Sequence, residues 1–149
     1  MFKKIFLFNV IFIYLFCTEI ALSKQSNFFK KGIDLYEKNQ FEKSKIFFEK
    51  DIVFNPKNES SYLYLAKIFN NGKNEEQEEV NLKNVLLLNP QNDEALYMLT
   101  ILKIKQSDYK EAKTLIDKFN LVCKKFCSKK NEIEGKLEKL LPKNEKDNN

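Results

Sequence analysis

Apolar residues recur through most of this chain at intervals of three and four, the spacing that lines side chains up on one face of an α-helix, and short polar breaks divide the pattern. Phe28, Phe29, Ile33 and Tyr36 make one such stripe, and after the break around Asn39 a second runs to Asn55 and Pro56. The phrase that closes it, FEKDIVFNPKN, returns as LKNVLLLNPQN, so that Pro56 and Pro90 stand 34 residues apart. The pattern predicts helix pairs over 25–58, 59–92 and 93–126, the third without its proline. N-cap and N3 spacing at Asn74 with Gln77, at Asp108 with Glu111, and more loosely at Asn39 with Glu42, marks the start of each second helix. Ile133, Leu137, Leu140 and Leu141 then form an i, i+4, i+7, i+8 stripe behind Ser128 and before Pro142, which predicts a capping helix over 128–141. Residues 143–149 are polar and read as a disordered tail.

These positions carry a resemblance. The opening large residue of each unit is Phe28, Tyr62 and Leu96, and the small residue where paired helices approach is Gly32, Ala66 and Thr100, with Ser44 and Ala112 facing it from the second helix. Phe48, Leu82 and Ile116 are the large residues of the second helix, and Pro56 and Pro90 close it. This arrangement resembles the tetratricopeptide repeat (TPR). It has a physical sense of its own: small side chains let two helices cross closely, large ones fill the groove beside them, and proline stops the second helix. The fold class expected is all-α, an α-solenoid of three repeats plus a C-terminal capping helix. Lys31 and Lys103 depart from the family pattern, standing where apolar residues are preferred. So do Asp51 and Glu78, where small residues are preferred, and Phe119, where alanine is usual. Lys31 and Asp51 are expected to stay wet on the unpartnered face of a terminal repeat, or to pair with each other. For Glu78 the sequence leaves open a snorkelling side chain or a slip of the helix by one residue.

Residues 1–23 have a different pattern. Met1, Phe2, Lys3 and Lys4 precede a run from Ile5 to Cys17 broken only by Asn9 and the Tyr14 hydroxyl, without a polar helical face. This is the layout of a secretory signal, and Ala21, Leu22 and Ser23 place small residues for cleavage after Ser23. A rival reading takes Cys17 as the lipidated first residue of a lipoprotein, although Phe16 is larger than the residue that normally precedes such a cysteine. An uncleaved anchor is the third reading. Each puts the rest of the chain in the periplasm or cell envelope, with membrane contact only through the signal segment or a lipid anchor.

Composition narrows the chemistry. The 149 residues include 26 basic ones, all lysine, no His and no Trp, with only three Gly and three Pro. That removes the usual proton shuttle, the commonest metal ligand and every guanidinium clamp, and leaves little for a phosphate-cradling loop. No enzyme, metal or cofactor is expected. Lysines interleaved with acids and the lack of arginine speak against nucleic acid. The acids Glu75, Glu76, Glu78 and Glu79 read as residues gathered at a helix N-terminus, since calcium would want a glycine-turned loop. Cys123 and Cys127 are read either as two free thiols or as a disulfide that an oxidising compartment permits but that fits poorly within one continuous helix.

What the resemblance implies is a concave face lined by the first helix of each unit. By family position its residues are Phe29, Ile33 and Tyr36, then Leu63, Lys67 and Asn70, then Tyr97, Ile101 and Ile104, with Glu37, Asn71 and Lys105 beside them. Tyrosines and aliphatics along a trough with Asn and Lys at its middle suit a protein or peptide partner. Phe29 and Ile33 cannot form the carboxylate clamp of chaperone-tail-binding members. A competing reading has the segment after Ser128 fold back and fill part of the trough. The function expected is that of an exported, non-enzymatic adaptor or scaffold. The alternative is a lipid-anchored TPR subunit of an outer-membrane barrel-assembly complex.

Overall fold

The computed structural model describes residues 26–141. Cys17, Ser23 and the rest of the expected signal segment, Pro142, and the tail 143–149 lie outside the described residues. Helices α1 (Asn27–Glu37) and α2 (Phe41–Phe54), α3 (Glu59–Asn71) and α4 (Glu75–Leu88), and α5 (Asp93–Lys105) and α6 (Tyr109–Val122) form three antiparallel pairs. A single 3-10 turn (Cys127–Lys129) leads into α7 (Lys130–Leu140), which packs on both α6 and α5. With α3 seated on α2 and α5 on α4, the chain is an all-α solenoid of three helix-turn-helix units and a closing helix.

The same turn joins each pair. Asn39, Lys73 and Ser107, spaced 34 residues apart, hold left-handed φ values of 57°, 57° and 62°. Around Asn39, its N–H donates to the Tyr36 carbonyl and that of Gln40 to the Leu35 carbonyl, both at 2.9 Å, which closes the helix in a Schellman motif. Asn39 therefore ends α1 rather than capping α2, whose N-cap, Gln40, makes no side-chain cap bond. The other two caps form as expected, with Asn74 accepting from the Gln77 N–H and Asp108 from that of Glu111, each at 3.1 Å. Ser128 is no cap: it lies in the 3-10 turn, and α7 begins at Lys130 without a side-chain cap bond.

Two apolar clusters share α3 as their common wall. Phe29, Phe48, Leu65 and Ile68 form the N-terminal one, while Leu63 and Ala66 belong to a larger cluster running through Leu82, Leu99, Ile116 and Phe119 to Ile133 and Leu137. Of the stripe predicted on the closing helix, Ile133 and Leu137 are buried, Leu141 packs against this core and Leu140 is exposed. Helix α1 crosses α2 closely at Gly32. A Cβ on Gly32 would stand 2.7 Å from the Phe48 ring, and the Ser44 hydroxyl donates to the Gly32 carbonyl at 2.8 Å. Since Phe48 has no exposed surface, it cannot step aside. Gly32→Ala is expected to lose about 1–3 kcal/mol through overpacking, despite alanine's better helix propensity, as read by urea unfolding. An unchanged or raised midpoint would show the crossing to be looser than this.

The polar departures from the repeat pattern resolve differently from one another. Lys31 is exposed and pairs with Asp34 at 3.6 Å, not with Asp51. Asp51 is fully buried instead of wet. Its carboxylate accepts from the hydroxyls of Ser26 and Ser61 and from the amides of Asn58 at 2.6 Å and Asn55 at 3.0 Å. Burial alone would raise its pKa, but these four donors outweigh it and hold the group below the ordinary carboxylate range. Glu78 is buried in register on α4, with Asn70 donating to it at 2.9 Å. Here desolvation prevails and its pKa is raised.

Candidate functional site

The first helices α1, α3 and α5 carry the nine positions expected to line a concave face, and packing divides them. Phe29, Leu63 and Ile104 are buried in the two clusters and present almost no surface, a correction to their expected role as lining. Ile33, Tyr36, Lys67, Tyr97 and Ile101 are half-buried, and Asn70 is exposed. Phe29 is taken up by Phe48 and Tyr64, and Leu63 and Ile104 by the larger cluster.

An aromatic group anchors the α1 end. The Tyr36 ring meets Phe41 and Tyr64 edge-on at 5.2 and 5.0 Å, and Tyr64 stacks on Phe48 at 4.9 Å. Tyr64, which was not among the expected lining residues, thus joins Phe41 in fixing Tyr36, which stays half-buried. In the middle, Lys67 reaches across to Glu94 at 2.7 Å, with its ammonium 5.1 Å from the Tyr64 ring centroid. Lys67 is therefore already partnered. Asn70 is engaged with Glu78, and Lys105 pairs with Glu75 at 2.6 Å, so the polar groups of this face are largely satisfied from within.

The α5 end is partly covered. Tyr97 donates its hydroxyl to Glu132 of α7 at 3.0 Å, its ring lies 6.0 Å from that of Phe126, and Lys129 sits over it at 5.6 Å. Bonds from Lys136, Lys129 and Tyr97 draw the Glu132 carboxyl down to about 2. The closing segment thus covers part of this tyrosine. Apolar surface remains at Ile33, Tyr36 and Ile101, with no cluster of metal-ligating side chains among the described residues.

Two further arrangements lie outside this face, and the second decides between the two readings of the cysteine pair. Lys103 lies buried between Glu79 at 2.7 Å and Glu111 at 3.3 Å, tying α5 to α4 and α6, and bonds from Lys103 and Lys83 bring the Glu79 carboxyl to about 2. At the end of the third unit, Cys123 and Cys127 are joined as a disulfide with Cα atoms 5.2 Å apart. The bridge is possible because α6 stops at Val122 and Cys123 turns extended, so the pair spans a turn and not a continuous helix. The bridged loop points the N–H groups of Lys124, Lys125 and Phe126 at the Asp93 carboxylate, at 2.7, 2.6 and 3.0 Å. It takes the place of the Asn-Pro turn of the other two units.

No family model matches this sequence and no curated protein does. Solved structures do. The Arabidopsis OM64 TPR domain aligns with a TM-score of 0.68 and 21% identity over 76% of this chain and 93% of that one. The type III secretion translocator chaperone SycD of Yersinia enterocolitica aligns at 0.70 and 13% identity, covering 88% of this chain and 91% of its own. The Sgt2 TPR domain of Aspergillus fumigatus aligns at 0.63 and 14% identity over 75% and 78%. The fold is that of a TPR solenoid.

Proposed function

We propose that this solenoid is an exported, non-enzymatic adaptor that holds a protein partner on the concave side of its first helices. The observation that carries the reading is the accessible apolar surface of Ile33, Tyr36 and Ile101, set in a face whose polar groups are already paired. Such a face gains from apolar side chains and asks little of a ligand's charge. Similar structures include a secretion chaperone and a complex named CopN-Scc3, which agrees with a role in binding another protein. The Cys123–Cys127 bridge supports an oxidising compartment, as export would provide.

A photocrosslinking side chain placed at Ile33 or Ile101 in intact cells tests the face. It is expected to give one discrete protein adduct, reduced about tenfold by Tyr36→Ala with helicity intact. Adducts only from a probe at Asp117, on the second helix of the third unit, would move the binding surface away from this face. Mass spectrometry of the mature chain tests export separately: a start at Lys24 gives the cleaved form, an acylated Cys17 the lipidated one, and an unprocessed Met1 in the cytoplasm excludes both.

A further inference from the structure

The second helices end in an apolar row that the fold leaves bare. Val53, Leu87 and Leu121 stand 34 residues apart and are 74%, 80% and 85% exposed. Equal spacing in a stacked repeat puts them at the same point of successive units, just before the loop that leads to the next unit. Phe54, 68% exposed, and Leu88 lie beside them. Single exposed apolar residues are ordinary; one position left apolar and bare in all three units marks a contact surface.

The charges around this row identify the partner. At the loop itself Asp51 is drawn onto its four donors, Glu59 onto the Asn89 amide at 3.0 Å, and Asp93 onto the backbone of the bridged loop, while Glu49 and Asp117, one turn further back, stay exposed. Lys57, Lys124 and Lys125 are exposed and, among the described residues, their ammonium groups have no ion-pair partner. Apolar tips set among free lysines, with the acids of the loops themselves turned inward, complement the interface of an anionic bilayer, where the tips enter the acyl boundary and the ammonium groups meet headgroups.

The chain also enters the fold at this end. The Ser26 hydroxyl binds Asp51, and the Phe28 ring stacks on Phe54 at 5.4 Å. The apolar run Ile5–Cys17 ends nine residues before Ser26, a tether of at most about 30 Å. We infer that the loop end of the solenoid, through Val53, Phe54, Leu87 and Leu121 with Lys57, Lys124 and Lys125, rests on an anionic lipid surface and leaves the concave face turned to the partner. The inference rests on the reading in which the N-terminal run, or a lipid at Cys17, holds the chain at a membrane.

The chain has no tryptophan, so single-tryptophan variants of the full-length protein report position directly. Leu87→Trp and Leu121→Trp are compared with Asn71→Trp, on the concave side, in vesicles of brominated phosphatidylcholine with or without phosphatidylglycerol. The expected result is quenching of about twofold or more at the two row positions and little at Asn71→Trp, weakened when Lys57, Lys124 and Lys125 are changed to Glu. Flotation with the vesicles but equal quenching at all three positions overturns the orientation and leaves the anchor standing. Failure to float overturns both. A row tryptophan already blue-shifted without lipid also overturns it: independence of protein concentration would identify cover by the chain's own N-terminal run, and dependence on it a second copy.

Discussion

Phe48→Ala is expected to lower the unfolding free energy by about 3–5 kcal/mol, measured by urea denaturation followed by circular dichroism. The ring has no exposed surface, stacks on Tyr64 at 4.9 Å and meets Phe29 at 5.8 Å. Its neighbours cannot close the hole. Gly32 has no side chain to move in, and Tyr64 is itself held by Tyr36 and Phe29. The void therefore persists, which sets the cost in the upper range for large-to-small changes. Because each unit of a solenoid touches only its neighbours, the damage should stay in α1, α2 and the face of α3 packed on them, and amide exchange there should rise before that of α5 and α6. Phe48→Leu combined with Gly32→Ala should cost less than the two separate losses added together, since a smaller residue at 48 makes room for the methyl at 32. A loss below about 1 kcal/mol for Phe48→Ala would show that the first unit contributes little to folding stability.

Replacing Asp51 is expected to be nearly as damaging, at about 3–5 kcal/mol for Asp51→Ala, and Asp51→Asn should recover little of it. All four partners of this carboxylate are donors, two hydroxyls and two amides. Only an acceptor with four lone-pair sites satisfies them, whereas asparagine brings two N–H groups to face other donors. The loss should carry a pH signature. The folded-state pKa of Asp51 is lowered from 3.8, so its contribution is fully present above that value and disappears as pH falls through the lower folded one. The stability gap between the native chain and Asp51→Asn should thus be constant near neutrality and narrow below about pH 4. Glu78, with a raised pKa, acts in the opposite sense, favouring the fold as acid protonates it, but it is common to both proteins and cancels in the difference. A gap that did not change with pH would mean that size, not charge, fixes Asp51 in its site.

The solenoid itself was legible because its signals are local. Pro56 and Pro90, the small residue at Gly32 opposite Phe48, and the caps at Asn74 and Asp108 each act within one helix or between two adjacent ones. The closing helix followed from the spacing of Ile133 and Leu137 in the same way. The candidate site was only half legible, since family position identifies which helix carries a residue but not how far its neighbours wrap around it. Phe29, Leu63 and Ile104 were taken into the core, and Tyr97 was claimed by Glu132, 35 residues further on.

The sequence by itself determined the helices, their pairing and their order, because periodicity, capping and close crossings are written at separations of a few residues along the chain. Tertiary structure alone decided the fate of the polar residues that broke the pattern. Asp51 is held by Ser26 and Ser61, and Lys103 by Glu79 and Glu111, partners that arrive from other helices. Whether a charge out of place is wet, paired or buried depends on the angle at which whole helices stack, and that angle is a sum over many contacts that no single spacing in the sequence records.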